Sequence, residues 1–208
     1  SHLRFGDVPI RSPYLVNTPD FVACHVPAYL TQYDVLKGLK KGGSFLLNSI
    51  WNEEETKERL PNSMKKYLAE NDINFYIING TQLGVDVGLG TRTNTIMQSA
   101  FFKITEVIPY DKAVVEMKKG IVKAYGKKGE KIVNMNYAGV DVGGKNVTKV
   151  SVPAEWKTIQ VEEKVDASDL PEFIKDVCVP INAQKGDDLP VSTFNGREDG
   201  TFPAGTTA

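Results

Sequence analysis

The chain has 208 residues, of which 41% are hydrophobic and 25% charged, with a formal net charge of −1 at pH 7. That length holds one large domain or a domain with an appendage, and the composition is that of a globular protein with a sizeable core. The near-neutral balance gives no reason to expect nucleic acid or an anionic membrane surface as a partner, and no apolar run approaches the roughly 20 residues of a membrane helix.

The opening residues Ser1 to Gly6 read as the end of a strand entering a polar loop, with no methionine before them and no signal-peptide pattern. The last ten residues are loop chemistry rich in Gly, Thr and Pro. Both ends are those expected of a piece of a larger polypeptide. Between them, 20–26 (DFVACHV) is a short apolar run suited to a buried strand. The segment 28–39 places Tyr29, Tyr33, Leu36 and Leu39 at helical spacing, and Lys40-Lys41-Gly42-Gly43 ends it. A second buried strand is expected over 44–50, then two short helices over 53–60 and 62–71 split by Pro61, then a third strand over 74–79. Strands of this apolar kind alternating with helices predict a parallel sheet covered on both faces.

Beyond the third strand the pattern is helical. Residues 93–107 carry Ile96, Met97, Ala100, Phe101 and Ile104 on one face, and Pro109 can open a helix reaching about Tyr125. In that helix Ala113, Val114, Met117, Ile121 and Ala124 point inward, and a less regular helical stretch follows over 129–142. Residues 147–152 (VTKVSV) alternate like an edge strand, 153–169 read as a polar, acidic linker, and 171–179 as a short amphipathic helix. The remainder reads as an extended arm. The expected division is an α/β body over 1–153 and a linker, helix and arm over 154–208.

In an open parallel sheet, ligands sit beyond the carboxyl ends of the strands. The loops to watch are therefore His25–Ala28, Asn48–Asn52 and Asn79–Gln82, with His2–Arg11 able to join them. Arg4 and Arg11 flank a turn-prone FGDVP and could hold a phosphate, although pairing with carboxylates is the favoured reading. Asn48 and Ser49 supply small polar groups near a helix start, while Asn52 suits the cap of the helix opened by Glu53, Glu54 and Glu55. The glycine-rich 84–94 stretch, GVDVGLGTRTN, fits a ligand loop ending in Arg92 or a tight connection between helices equally well. Cys24-His25 reads as packing. The lysines at 118, 119, 123, 127, 128 and 131 suggest a solvated helix face, with docking of an acidic partner as the minority reading.

Only two cysteines occur, Cys24 and Cys178, with two histidines, and there is neither a CxxC pair nor a Walker loop. Iron–sulfur or zinc ligation within the chain is therefore not expected, and the cysteine usage suits a reducing, cytoplasmic setting.

Several blocks, SHLRFGDVPIRSPYLV, DFVACH, GGSFLLNS, TRTNTIMQSAFF and AYGKKGEKIVNMN, together with DDLPVSTF and GTFPAGT, closely resemble the third domain of the pyruvate:ferredoxin oxidoreductase family and the segment after it. The resemblance covers nearly the whole chain. It implies a three-layer Rossmann-like α/β domain with a mostly parallel sheet, truncated at its N-terminus, with an extended C-terminal arm. Members of that family convert pyruvate and coenzyme A to acetyl-CoA and carbon dioxide on thiamine diphosphate, passing electrons through [4Fe–4S] clusters to ferredoxin or flavodoxin. The resemblance implies that the thiamine and cluster sites belong to other domains of a parent enzyme, expected to be a homodimer, and that this piece is inactive alone. Its implied task is to help bind coenzyme A and pack the thiamine domains. Arg4, Asn48 and Arg92 are the cofactor-binding residues expected on that basis, with no catalytic or metal-binding residue. The alternative is a scaffold between domains with no ligand contact. The glycine-rich strand–loop–helix that opens this domain in the family is missing, which puts independent coenzyme A binding in doubt.

Overall fold

The computed structural model describes residues 7–11, 16–161 and 170–206. A four-stranded sheet in the order β1-β2-β3-β4 forms the centre, from β1 (Phe21–Cys24), β2 (Ser44–Asn48), β3 (Asn74–Ile78) and β4 (Thr148–Val150). The first three strands are parallel, with Phe21 opposite Ser44 and Ser44 opposite Asn74, and β4 adds antiparallel to β3.

Alternation along β2 and β3 sorts the core into two layers. Phe45, Leu47, Phe75 and Ile77 enter one cluster, whereas Leu46 and Ile78 enter the other. A strand buried on both faces needs apolar side chains along its middle, and the FLL of β2 and FYII of β3 supply them. The first face is covered by α1 (Tyr29–Gln32), α2 (Glu53–Arg59) and α3 (Asn62–Glu70), with Phe45 stacked on Phe75 at a centroid distance of 5.4 Å. The opposite face is covered by α4 (Gly80–Asp86), α5 (Asn94–Thr105) and α7 (Glu130–Lys145). Helix α6 (Tyr110–Tyr125) lies outside α5 and α7, meeting α7 through a Lys118–Asp141 ion pair at 2.8 Å.

The structure departs from the periodicity in four places. The expected helix over 28–39 is one turn, because Tyr33 adopts extended backbone angles and Gly38 has φ +76°. Its apolar residues still converge, since the turns that replace the helix bury Leu36 and Leu39 in the same cluster. Helix α4 was not expected at all, its Gly80 and Gly84 masking a helical stretch capped by Asn79, whose Oδ1 accepts the Gln82 N–H at 3.0 Å. Helix α7 is complete and sits hard against α5: Gly139 and Gly143 leave room for Leu89, Ile96 and Ser99. Residues 154–158 form a 3-10 turn rather than free linker, because Trp156, 7% exposed, packs into the first cluster beside α3.

In the C-terminal part, Ile174–Cys178 winds as a π turn into α8 (Val179–Asn182), the Val179 N–H donating to the Ile174 carbonyl. Pro180, which has no N–H to give, begins the next turn. Short turns follow, held by Phe173, Phe194 and Phe202 and by Arg197 at 4.7 Å over the Phe173 ring. A Lys37–Asp188 ion pair at 3.0 Å ties this part to the body.

Candidate functional site

The three parallel strands end together, and one side chain joins their ends. Asn48, the last residue of β2 and buried, donates through Nδ2 to the carbonyl of His25 at 3.1 Å. Its Oδ1 accepts the Gly80 N–H at 2.8 Å. His25 follows β1 and Gly80 opens α4 just after β3, so this amide spans the loops that follow all three strands. A side chain at position 80 would crowd this bond, since a Cβ there would stand 3.1 Å from Asn48 Oδ1. Beside it the Ser49 N–H donates to the Ile78 carbonyl at 2.9 Å, and Ser49 Oγ accepts the Trp51 N–H at 2.9 Å. Asn52 and Glu55 form a reciprocal capping box on α2, at 2.9 and 3.0 Å.

Arg92 lies near this edge, on the link from α4 to α5. Gly88 and Gly90 turn that link with φ of +83° and +62°, and the absence of a side chain at Gly84 admits the Gly90 carbonyl, 2.6 Å from where a Cβ would stand. Leu89 plugs the second core cluster, which leaves Thr91 and Arg92 exposed. The side-chain hydrogen bonds of Asn48 run to His25 and Gly80, not to Arg92. The two residues are linked through α4, which meets Asn48 at Gly80 and, one turn later, passes at Gly84 under the Arg92 carbonyl. The Arg92 guanidinium makes no hydrogen bond or ion pair with any described residue. Thr93, the N-cap of α5, offers no side-chain hydrogen bond to the helix, so Arg92 stands beside first-turn N–H groups without a side-chain cap. Arg4 lies outside the described residues.

Cys24 is buried, with Sγ donating to the Val26 carbonyl at 3.2 Å. Burial, the largest cause, pushes its thiol up in pKa, so the protonated form is favoured at neutral pH. Among the described residues no group of three or more His, Cys, Asp and Glu side chains is placed to hold a metal ion. None of their helices is long and apolar enough to cross a membrane.

Residues 1–145 match the family model for pyruvate ferredoxin/flavodoxin oxidoreductase. The chain belongs to the pyruvate ferredoxin/flavodoxin oxidoreductase family. Residues 160–208 match a second family model, described as a domain of unknown function. Among family members, the chain is 53% identical over 208 residues to a pyruvate-flavodoxin oxidoreductase of Enterobacter agglomerans. It is 50% identical over 207 residues to the pyruvate:ferredoxin oxidoreductase of Moorella thermoacetica. Each match takes in 100% of this chain and 18% of the relative, so the chain spans less than a fifth of the length of these proteins. The fold is also that of the PORC subunit of pyruvate oxidoreductase from Thermotoga maritima, with a TM-score of 0.53 at 18% identity, covering 65% of this chain and 67% of that one.

Sequence reasoning expects Asn48 and Arg92 beside the strand ends; the structure puts Asn48 at the end of β2 and Arg92 on the link between α4 and α5, and the helix α4 that separates them in the chain was missed. The signal for it was available in Asn79 and Gln82, three residues apart in the manner of an N-cap and its N3 partner, ahead of Leu83 and Val87.

Proposed function

We propose that this chain works as one part of a longer pyruvate:ferredoxin or pyruvate:flavodoxin oxidoreductase, where its carboxyl sheet edge helps capture coenzyme A. The parent reaction joins an acetyl group from pyruvate to coenzyme A, releases carbon dioxide and passes electrons to ferredoxin or flavodoxin. Thiamine diphosphate and [4Fe–4S] clusters would be held by other domains. The observation that carries the reading is Arg92: an exposed guanidinium with no partner among the described residues, next to the side-chain-uncapped start of α5. Coenzyme A brings phosphates, and a guanidinium with nearby backbone N–H groups suits a phosphate. Asn48 serves the same site by positioning, holding the three strand-end loops in register, and Arg4 would add a second cation. A body over 1–153 and a C-terminal part over 154–208 belong to the same reading, supported by family matches that end at residue 145 and resume at residue 160.

The test is steady-state kinetics of the longer enzyme carrying Arg92→Ala, with coenzyme A varied and pyruvate-driven cluster reduction followed separately. Loss of one charge-assisted contact should raise KM for coenzyme A about tenfold, with cluster reduction unchanged. If neither quantity moves, Arg92 has no part in capture. That result would favour a scaffold between domains, a reading supported by Asn48, whose side-chain hydrogen bonds among the described residues run to the His25 and Gly80 backbone.

A further inference from the structure

Helix α6 is the outermost helix of its face, and it does not close against α5. Between them lies a groove of about 440 Å³, floored by Phe102, Ile108, Ala113, Met117, Ile121 and Ala124. Gly120 also lines it. That glycine sits mid-helix with no positive φ, and a Cβ built on it meets nothing within 4 Å. Glycine in a helix interior costs stability relative to alanine. No turn or close approach among the described residues accounts for it, so the space above it suits a neighbour whose atoms come close to the α6 backbone.

Among the described residues, the only charged one lining the groove is Glu116, but the flank of α6 beside it carries a net positive charge. Lys112, Lys119 and Lys123 follow one another at helical spacing beside the apolar row 113, 117, 120 and 124. Glu116 is the sole carboxylate in that row, and it is held by Lys119 at 2.7 Å. Lys112 and Lys123 have no hydrogen bond or ion pair among the described residues. On the α5 side the rim is Asn94, Thr95 and Gln98, polar and uncharged.

We propose that this groove is the docking site of an amphipathic helix with an apolar stripe and a carboxylate-bearing flank, supplied by the same polypeptide beyond the 208 residues. The apolar floor recognises the stripe, Gly120 admits close approach, and Lys112 and Lys123 pair with the flank. The source is set by length: relatives that match this chain from end to end are more than five times as long, so over four-fifths of such a polypeptide lies outside it. The inference rests on the chain being part of a longer protein, as proposed above, and is independent of coenzyme A capture.

The intact mass of the native protein is measured first, and it tests the longer-protein reading by itself. The full-length protein is then prepared with the photo-crosslinker p-benzoylphenylalanine at Gly120 and, separately, at Met117, in case bulk at one position disturbs the fold. Irradiation followed by peptide mass spectrometry should give an intramolecular cross-link to a segment outside residues 1–208. That segment should have apolar residues three and four apart and Asp or Glu beside them. The double reversal Lys112→Glu with Lys123→Glu should lower the cross-link yield about fivefold. Either of two results would overturn the inference: cross-links only to a separate protein or to none, or a captured segment without carboxylates whose yield ignores the reversal.

Discussion

Asn48 shows how a single amide can set the geometry of the carboxyl edge of a sheet. Its two side-chain bonds go to a carbonyl after β1 and to an N–H after β3, so that the loops cannot shift independently. Replacing it with alanine strands the Gly80 N–H in a buried setting and the His25 carbonyl in a half-buried one, and a buried unsatisfied group costs roughly 1–3 kcal/mol. Asn48→Ala should therefore lower stability by about 2 kcal/mol or more, read as a shifted denaturant midpoint, and an unchanged midpoint would mean the loops hold themselves. The sequence placed Asn48 at a strand end because apolar residues precede it. Its partners come from residues 25 and 80, and no local pattern could have named them.

At the scale of elements, the pairing of α5 with α7 is built on missing side chains. Gly143 faces the Ile96 carbonyl and the Ser99 Cβ, and Ser99 donates through Oγ to the Val140 carbonyl at 2.6 Å. A methyl group at position 143 meets backbone, which cannot rotate away, so the helices must separate. Gly143→Ala should cost about 1–3 kcal/mol despite its better helix propensity. Gly120→Ala on α6 meets nothing and should hold or raise stability in the 208-residue chain. A thermal unfolding series on the two variants checks the contrast. The helical character of 130–145 was legible but irregular, because its inward face is glycine and asparagine rather than leucine. The segment 28–39 misled in the opposite sense, its tyrosines and leucines matching a helix that Tyr33 and Gly38 interrupt.

For the whole molecule, closure comes from contacts between distant parts of the chain. Glu53, in the first turn of α2, binds Lys57 at 2.7 Å and accepts the Ser151 N–H at 3.0 Å, joining α2 to the end of β4. The hydrogen bond from Lys57 is the main cause holding its carboxyl below the ordinary glutamate value, with the Ser151 N–H second. A lowered folded-state pKa means this stabilisation is present above the unfolded value, about 4.3, and is lost as pH falls through the folded one. Glu53→Gln should flatten the acid limb of the Tm-against-pH curve while leaving its shape near pH 7 unchanged, and an identical acid limb would refute the link. Trp156 closes the first core cluster from a segment whose polar composition reads as linker. By itself the sequence determined the apolar strands and their alternation with helices, because burial on both faces of a parallel sheet forces a pattern that survives in one dimension, and the family was legible only through the resemblance of particular residue blocks. Only the tertiary structure decided the antiparallel fourth strand, the Asn48 bridge and the open groove on α6, because each depends on which distant backbone groups are left needing a partner once the layers have packed.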